Sequence, residues 1–541
     1  MTVTQQRSGG SPAAILAVLG LASYVMVLDT TVMNVSIAQI VNDLHSSVTQ
    51  IQGAITAFTL VMAATMIAGG KLGDVWGRRR VFQVGLVIYA CGSGLTAASQ
   101  NFAMLLFGWS LLEGLGAALI MPTVTSLIAA NFAVGERAKA YGAMAAVTAA
   151  SVATGPIIGG LATTYASWRY VFAGETIACA AILLCARIIG DAAQGERQAF
   201  DLVGAGLSAL GLGLAVFGVL QAGPWGLLHP SRSSTPRLFG VSASFWLILA
   251  GGLVLALFLA WIGRAPSHGR PALVRRSLFE VTQLMTGLKV LLAQNLVQSG
   301  VFFIVPIFLT IVLGLSAIKT GVAVLPLSVS LVIAALGVPR LFPTASPRRI
   351  VTIGLLAMLS AVIVLIGSIS STATASSFAV PLLLMGLGVG MLASQVGNVI
   401  MSSVPLEESS EAGGLQYTAQ NLGASLGTAI VGAVMVAGLA TSLRAGVVNN
   451  PQLSASVKHQ ATVTIDGGVA MTSNDDLAAA LAKTSIPAAE QQQIISVNEA
   501  ARLDALRQAV SVIGLLVVLA LVAARKLPSA QPEAPTGVPI A

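Results

Sequence analysis

Two carboxylates inside long apolar runs, Asp29 and Glu113, are the residues of this chain with the clearest potential chemistry. Each run is long enough to cross a bilayer, and an ionised carboxylate at its centre costs about 2.5–3.5 kcal/mol on insertion scales. Both acids should therefore face protein or water, where they can bind and release protons. If they approach each other, their like charge favours one of them holding a proton. Two other roles stay open: a structural hydrogen bond for Asp29, and a neutral hydrogen-bonding role for Glu113.

The composition indicates which kind of structure positions these acids. Hydrophobic residues make up 55% of the 541 positions and charged residues 9%, against a usual charged share of roughly 25%. The apolar runs are continuous and lack the alternation of membrane barrel strands, so the chain is expected to be an all-α integral membrane protein. The three cysteines (Cys91, Cys179 and Cys185) lie in apolar runs and indicate neither a disulfide framework nor a metal site.

Hydropathy predicts fourteen membrane spans. They cover roughly residues 13–38, 50–69, 81–99, 103–130, 140–163, 168–189, 202–222, 242–262, 286–312, 317–338, 350–369, 376–403, 412–440 and 508–524. Lys and Arg concentrate in the short loops of one side, which places that side and both termini in the cytoplasm of a cell whose plasma or inner membrane the chain crosses. The net charge of +8 is therefore assigned to topology and to contacts with membrane lipids, and no nucleic-acid partner is expected.

The loop after span 2 is the most specific motif. Residues 70–80 read G-K-L-G-D-V-W-G-R-R-R, in which Gly70 and Gly77 permit a close turn and Asp74 can pair with neighbouring cations such as Arg78. The pattern G-x-L-x-D-x-x-G-R-R-R resembles the loop between helices 2 and 3 of the major facilitator superfamily. The resemblance implies that Gly70, Asp74, Gly77 and Arg78 form a cytoplasmic gate.

Further motifs resemble the fourteen-span drug:proton antiporters of that superfamily. Residues 28–35 read L-D-T-T-V-M-N-V, residues 167–172 read S-W-R-Y-V-F, and residues 155–160 read G-P-I-I-G-G. The last of these resembles the antiporter motif, carried here by Gly155, Pro156, Gly159 and Gly160. The chain also departs from the family pattern. Ala38 replaces a proline, Ser110 replaces an arginine usually assigned to proton coupling, and Glu113 replaces a glutamine.

The resemblance implies a major facilitator fold with two six-helix bundles and two inserted helices. The expected segments are a cytoplasmic N-terminus (1–12), an N-terminal bundle (13–190), the inserted pair (201–262), a C-terminal bundle (286–525) interrupted by an extracytoplasmic loop (441–507), and a cytoplasmic tail (526–541). In that loop, helices are predicted to start near Ser473 and at Pro487. We expect a passive, partly ordered connector, and a cap over the exit stays open.

Polar, uncharged residues within the spans are candidates for lining a central cavity. They are Asn34, Gln294, Asn295, Gln298, Gln395 and Asn398. Hydrogen bonding between helices is the other explanation for such residues. Glu175 is a third membrane acid, but span 6 is peripheral in the resembled fold, so we expect no coupling role for it.

Taken together, the resemblance implies a monomeric secondary exporter that moves lipophilic, cationic small molecules or drugs out of the cell in exchange for protons. Asp29 and Glu113 would carry the protons and attract the substrate. Two alternatives stay open: export or flipping of a lipid-like metabolite with weak or no proton coupling, and a sensor that transports nothing. A membrane enzyme finds no support, because the four histidines lie in loops or at span ends. Neither a cofactor nor a metal is expected.

Overall fold

A computed structural model describes residues 10–46, 48–190, 199–228, 235–266, 270–315, 317–405, 408–466 and 471–530. Within these ranges, fourteen helices are long and apolar enough to span a bilayer, which confirms the predicted number. Thirteen of them come first in the chain: α1 (Pro12–Asp43), α2 (Val48–Trp76), α3 (Arg78–Ala97), α4 (Phe102–Asn131), α5 (Val134–Tyr165), α6 (Arg169–Cys185), α7 (Leu202–Trp225), α8 (Ala243–Arg264), α9 (Thr282–Ile307), α10 (Ala317–Leu341), α11 (Pro347–Ser368), α12 (Ala379–Met401) and α13 (Ser409–Asn449).

Three more helices complete the chain: α14 (Ala455–Asp466), α15 (Asn474–Leu481) and the last span, α16 (Ala488–Ala524). Helix starts follow from local sequence. Ser11 and Ser346 each cap a helix that opens with proline, where the missing N–H is not needed. Gly77 separates α2 from α3 with a φ of 95°, a conformation that favours glycine. Between α7 and α8, Arg237–Leu238 (β1) and Val241–Ser242 (β2) form a short antiparallel hairpin.

The spans pack as two halves. In the N-half (α1 to α6), α1 packs on α5, and α3 packs on α4 and α6. In the C-half (α9 to α13 with α16), α9 packs on α13, α12 packs on α10 and α11, and α16 closes the group against α9, α11 and α13. The halves meet mainly where α2 contacts α13 and α5 contacts α10. The inserted helices α7 and α8 pair with each other, and α7 lies against α2 and α13.

Glycines set the closest helix approaches in the C-half. A Cβ atom on Gly386 would lie 2.1 Å from the Leu327 carbonyl oxygen, and one on Gly390 would lie 2.4 Å from the Leu331 carbonyl oxygen. The opposite face of α12 packs through Gly388, where a Cβ would lie 2.4 Å from Cγ of Met358 on α11. Small residues spaced in this way let helix backbones approach closely inside a membrane. They also fix the rotation of α12 about its axis.

The segment 441–507 corrects one expectation. Helices begin where predicted, since Ser473 caps α15 and Pro487 precedes α16. However, α13 continues to Asn449, α14 follows, and Val447, Leu453 and Val457 form a small apolar core of their own. The described part of the segment is therefore more ordered than expected, because its apolar side chains have partners to pack against. Its role as a connector or as a cap stays a prediction.

The insert is also tied to the spans. The Arg502 guanidinium, buried in the structure, donates to the carbonyl oxygens of Thr472 at 2.9 Å and of Ile311 at 3.4 Å. Thr472 belongs to the insert, whereas Ile311 lies just beyond α9. Arg502 therefore links the insert to the adjacent end of α9 through these two hydrogen bonds.

The glycine contact between α10 and α12 gives the first prediction. Gly386→Ala should lower the free energy of unfolding by about 1–3 kcal/mol, the usual cost of overpacking, because the new methyl group meets a backbone carbonyl that has little freedom to move. Thermal unfolding of the purified protein in detergent measures this effect. Gly367→Ala on α11 is the matched control, since a Cβ there has no atom within 4 Å. Equal melting temperatures for the two variants would contradict the packing account.

Candidate functional site

Three carboxylates meet inside the N-half. Asp29 on α1, Glu113 on α4 and Glu175 on α6 are each at most 3% exposed, and one oxygen from each lies within 4.8 Å of the others. The structure therefore brings together the two predicted acids and adds a third. We refer to Asp29, Glu113 and Glu175 as the acid cluster.

Each member of the acid cluster accepts a hydrogen bond from a neutral side chain. Trp109 Nε1 donates to Asp29 at 2.7 Å, Thr96 Oγ1 donates to Glu113 at 2.8 Å, and Ser93 Oγ donates to Glu175 at 3.1 Å. The second oxygen of each carboxylate is buried and has no hydrogen-bond partner among the described residues. Neutral donors cannot balance three negative charges at this distance, so the cluster must hold protons or a cation.

Glu175 lies with the other two acids. We expected no coupling role for it, because span 6 is peripheral in the resembled fold. In the structure, α6 packs on α3 and turns Glu175 inward, where Ser93 donates to it. Hydropathy reports how deep a residue lies in the membrane but not which way its side chain points around the helix axis. The type of residue was the only available signal, since a carboxylate in an apolar span seldom faces lipid.

Local backbone geometry places Glu113. Residues Leu106–Glu113 of α4 form a π-helix, a rare form that is frequent at functional sites. Glycine at position 92 makes room for the acid, because a Cβ there would lie 2.7 Å from the Glu113 Cγ atom. The ring of Trp109 stacks on Phe58 at 4.8 Å between centroids, which fixes the indole that donates to Asp29.

Ser110 occupies the position of the family arginine. Its hydroxyl donates to the Ala54 carbonyl oxygen of α2 at 2.8 Å, and the side chain is buried. A short neutral residue at this point closes α4 against α2 and adds no positive charge. The salt bridges among the described residues include none to the acid cluster.

The glycines of the antiporter motif pack against the same part of α1. A Cβ on Gly155 would lie 1.8 Å from Thr31 Oγ1, and one on Gly159 would lie 3.3 Å from the Val32 Cα atom. Gly160 has no atom within 4 Å of such a position, and the side chain of Pro156 lies outside the described part of the structure. The motif thus holds α5 tightly to α1 within three residues of Asp29.

A cavity of about 310 Å³ lies between the two halves. Of the predicted lining residues, Gln294, Asn295 and Gln298 on α9 contribute to its wall. Residues that the sequence analysis did not assign to the lining include amides and a tyrosine of α13 and several methionines of the N-half. They are Gln416, Tyr417, Gln420, Asn421, Met62, Met66, Met121 and Met144. The amides of α13 recur at positions 416 and 420, one turn apart, and that spacing could have indicated them.

Two predicted lining residues are corrected. Gln395 and Asn398 are buried and lie outside the cavity wall, to which α12 contributes Val389, Ala393, Val396 and Gly397. Gln395 donates to Ser394 Oγ at 3.4 Å, and Asn398 accepts from Ser402 Oγ at 3.2 Å. Both bonds are local to α12, so they differ from the hydrogen bonding between helices that was the other explanation. The side chain of Asn34 lies outside the described part of the structure.

The acid cluster and the cavity are separate. On α1 the cavity is lined by Ser23 and Val27, whereas Asp29 follows Val27 by two residues, about 200° around the helix. The described lining includes neither a carboxylate nor a basic side chain. A molecule in this cavity would meet amides, aromatic rings and thioethers, and it would influence Asp29 only through movement of α1.

The predicted gate residues meet the start of α13. Arg78 donates to Ser410 Oγ at 3.0 Å and lies 3.6 Å from Asp74. A Cβ on Gly70 would lie 2.6 Å from the Ser410 carbonyl oxygen, so glycine is needed for this contact. Gly70 and Arg78 therefore lie against Ser410 at the start of α13, and Asp74 lies beside Arg78. The role of Gly70, Asp74, Gly77 and Arg78 as a gate stays a prediction.

A buried ion pair beside these gate residues was not assigned from the sequence. Lys71 Nζ lies 2.6 Å from Glu411 Oε1, and both side chains are about 2% exposed or less. The backbone N–H of Arg275 donates to the other oxygen of Glu411 at 3.0 Å, while the Arg275 side chain forms an ion pair with Glu408. We call Lys71, Arg78, Ser410 and Glu411 the interhalf latch. It fastens α2 and α3 to α13 on the side of the 70–80 loop.

Comparison with known proteins decides the family. The family model of the Major Facilitator Superfamily matches residues 19–200 and 185–428. The chain belongs to the major facilitator superfamily. It is therefore a transporter and not an enzyme, as the sequence predicted.

Similar proteins include resistance and export proteins. The chain is 29% identical over 428 residues to the tetracenomycin C resistance and export protein of Streptomyces glaucescens, covering 79% of this chain and 76% of that protein. It is also 29% identical over 493 residues to the probable actinorhodin transporter of Streptomyces coelicolor, covering 90% and 78%. Among solved structures, the human organic anion transporter MFSD10 shares the fold, with a TM-score of 0.54 at 13% identity over 79% of this chain and 94% of that one.

The interhalf latch gives the second prediction. Lys71→Met leaves the buried carboxylate of Glu411 without its ion-pair partner, and breaking such a pair costs about 3–5 kcal/mol. The melting temperature of the purified protein should fall accordingly, and it should recover by more than half in the double variant Lys71→Met/Glu411→Leu. Asp504→Asn removes one partner of an exposed ion pair and serves as the control, with an expected cost of about 0–1 kcal/mol. If Lys71→Met lowers the melting temperature no more than Asp504→Asn does, the result contradicts a stabilising role of the interhalf latch.

Proposed function

We propose that the protein exports lipophilic small molecules from the cell in exchange for protons, by alternating access of the cavity between its two halves. The acid cluster is the observation that carries this proposal. The similarity to resistance and export proteins supports transport out of the cell and small molecules as the substrate class.

The acid cluster is suited to protons for an electrostatic reason. Three carboxylates this close cannot all be ionised without a compensating charge, and the side chains that donate to them are an indole and two hydroxyls. Protons are the simplest compensation. In this proposal Asp29 and Glu113 carry them as expected from the sequence, and Glu175 joins them as a third member of one titrating group.

Helix α1 is the proposed link between protons and substrate. Its residues Ser23 and Val27 line the cavity, while Asp29 on its other side belongs to the acid cluster. The glycines Gly155 and Gly159 of the antiporter motif pack against α1 beside this acid. A substrate that displaces α1 changes the surroundings of Asp29, and a change of charge on Asp29 changes the packing of α1.

The cavity favours lipophilic substrates that also form hydrogen bonds. Its polar wall of amides and tyrosine hydroxyls can orient a ligand, and its methionines adapt to irregular apolar shapes. A preference for cations remains a prediction from the sequence. The geometry offers such a substrate no direct ion pair, because the carboxylates lie behind α1.

The orientation and the gate complete the proposal. If the side rich in Lys and Arg is cytoplasmic, both termini lie inside the cell and the interhalf latch closes the cytoplasmic side of a plasma or inner membrane transporter. Inward opening then requires α2 and α13 to separate at Lys71 and Glu411. Each protein chain contains both halves, so a monomer suffices for this cycle.

Proton release on substrate binding tests this function. Ethidium, a lipophilic cation, and tetracenomycin C are added separately to the purified protein in weakly buffered detergent, and a pH indicator records released protons. We expect release from the wild type and a reduction of at least about threefold in Asp29→Asn, Glu113→Gln and Glu175→Gln, because each amide removes one exchangeable proton from the acid cluster.

The control is Asp201→Asn, which changes a buried carboxylate that caps α7 outside the cluster. It should leave release unchanged. Binding of each compound is measured in parallel by fluorescence, so that loss of binding is distinguished from loss of coupling. Binding without release from the wild type would contradict proton coupling and favour the uncoupled export of a lipid-like metabolite.

A further inference from the structure

A second cavity lies at the membrane surface, where α11 begins and α16 ends. Its volume is about 710 Å³, and three arginines line it: Arg348 and Arg349 from α11 and Arg525 from just beyond α16. The backbone N–H of Arg348 donates to the Pro528 carbonyl oxygen at 3.3 Å, which joins the two helix ends. Because successive spans cross in opposite directions, this groove lies on the same side of the membrane as the interhalf latch.

The arginines of this groove form no ion pair with a carboxylate in the part of the chain that the structure describes. All three side chains are exposed. Three guanidinium groups around one cavity repel one another unless an anion lies between them. Guanidinium groups present planar pairs of donors that match the oxygens of a phosphate.

Apart from Thr352, the wall below the arginines is apolar. Ile353 and Leu356 are 55% and 50% exposed, and Leu521 contributes from α16. Counted along the helices at 1.5 Å per residue, Ile353 lies roughly 6 Å below Arg349, Leu356 roughly 10 Å below it, and Leu521 roughly 6 Å below Arg525. The groove is therefore cationic at the membrane surface and aliphatic toward the bilayer interior.

We propose that this groove binds an anionic phospholipid, with its phosphate held by Arg348, Arg349 and Arg525 and an acyl chain along Ile353 and Leu356. Basic pockets between membrane helices on the cytoplasmic side commonly bind such head groups. The lipid bridges α11 and the end of the last span. The site does not depend on the transported substrate or on protons.

Native mass spectrometry of the delipidated protein tests the site. Phosphatidylglycerol and phosphatidylcholine with identical acyl chains are titrated separately into the wild type, into Arg348→Gln/Arg525→Gln and into Arg80→Gln/Arg340→Gln. The last variant removes two exposed arginines from the same side outside the groove. We expect at least about fivefold tighter binding of phosphatidylglycerol than of phosphatidylcholine, and loss of this preference only in the groove variant.

Two results would overturn the proposal. Equal phosphatidylglycerol binding by the groove variant and its control would show that the arginines act as unspecific surface charge. Displacement of the lipid by millimolar inorganic phosphate would show a site for free anions. Hydrogen exchange provides a second readout, in which phosphatidylglycerol should slow exchange in residues 346–356 and 521–529 of the wild type and leave the groove variant unchanged.

Discussion

The high cost of an uncompensated carboxylate at membrane depth is the constraint on which this structure depends. Asp29, Glu113 and Glu175 come from three different helices and share one buried space with neutral donors. Several local features are arranged around them: the π-helix of α4, the glycine at position 92 and the stacked indole of Trp109. The N-half tolerates this arrangement only with protons or a cation in the acid cluster, and a structure with that requirement can respond to a proton gradient.

Charge is used differently at the interface between the halves. Lys71 and Glu411 are buried as well, but they neutralise each other across α2 and α13. A buried ion pair adds little stability over an apolar contact, although it becomes costly when one partner is removed. Such a pair specifies one docking position of the halves without making it very stable. This property suits the proposed cycle, in which the halves open and close at the interhalf latch. The cavity between the halves is uncharged in its described lining, so both charged sites lie outside its wall.

The sequence predicted the number of spans, the position of the 70–80 loop between two of them and the burial of Asp29 and Glu113 within the spans. These features depend on hydropathy, loop charge and motif spacing, which are local properties of the chain. The role of the two acids in transport stays a prediction. The sequence did not predict which helix faces meet. The approach of Glu175 to the other two acids, and the position of Gln395 and Asn398 outside the cavity wall, could not be predicted because the rotation of a helix is set by its neighbours. For α12 it is set by glycines at 386 and 390, whose closest contacts lie on α10. The order of the insert was not predicted in full, because its small apolar core forms only when α13, α14 and α16 come together.

Transport by reconstituted protein under an imposed pH gradient tests the central claim most directly. Proteoliposomes of known orientation, with the latch side outward, would be loaded at acidic internal pH, and ethidium accumulation would be followed with and without the gradient. The account predicts that ethidium accumulates only while the interior is the more acidic side, that the interior loses protons during uptake, and that nigericin abolishes accumulation. Accumulation at the same rate without a gradient, or in the presence of nigericin, would contradict proton-coupled export.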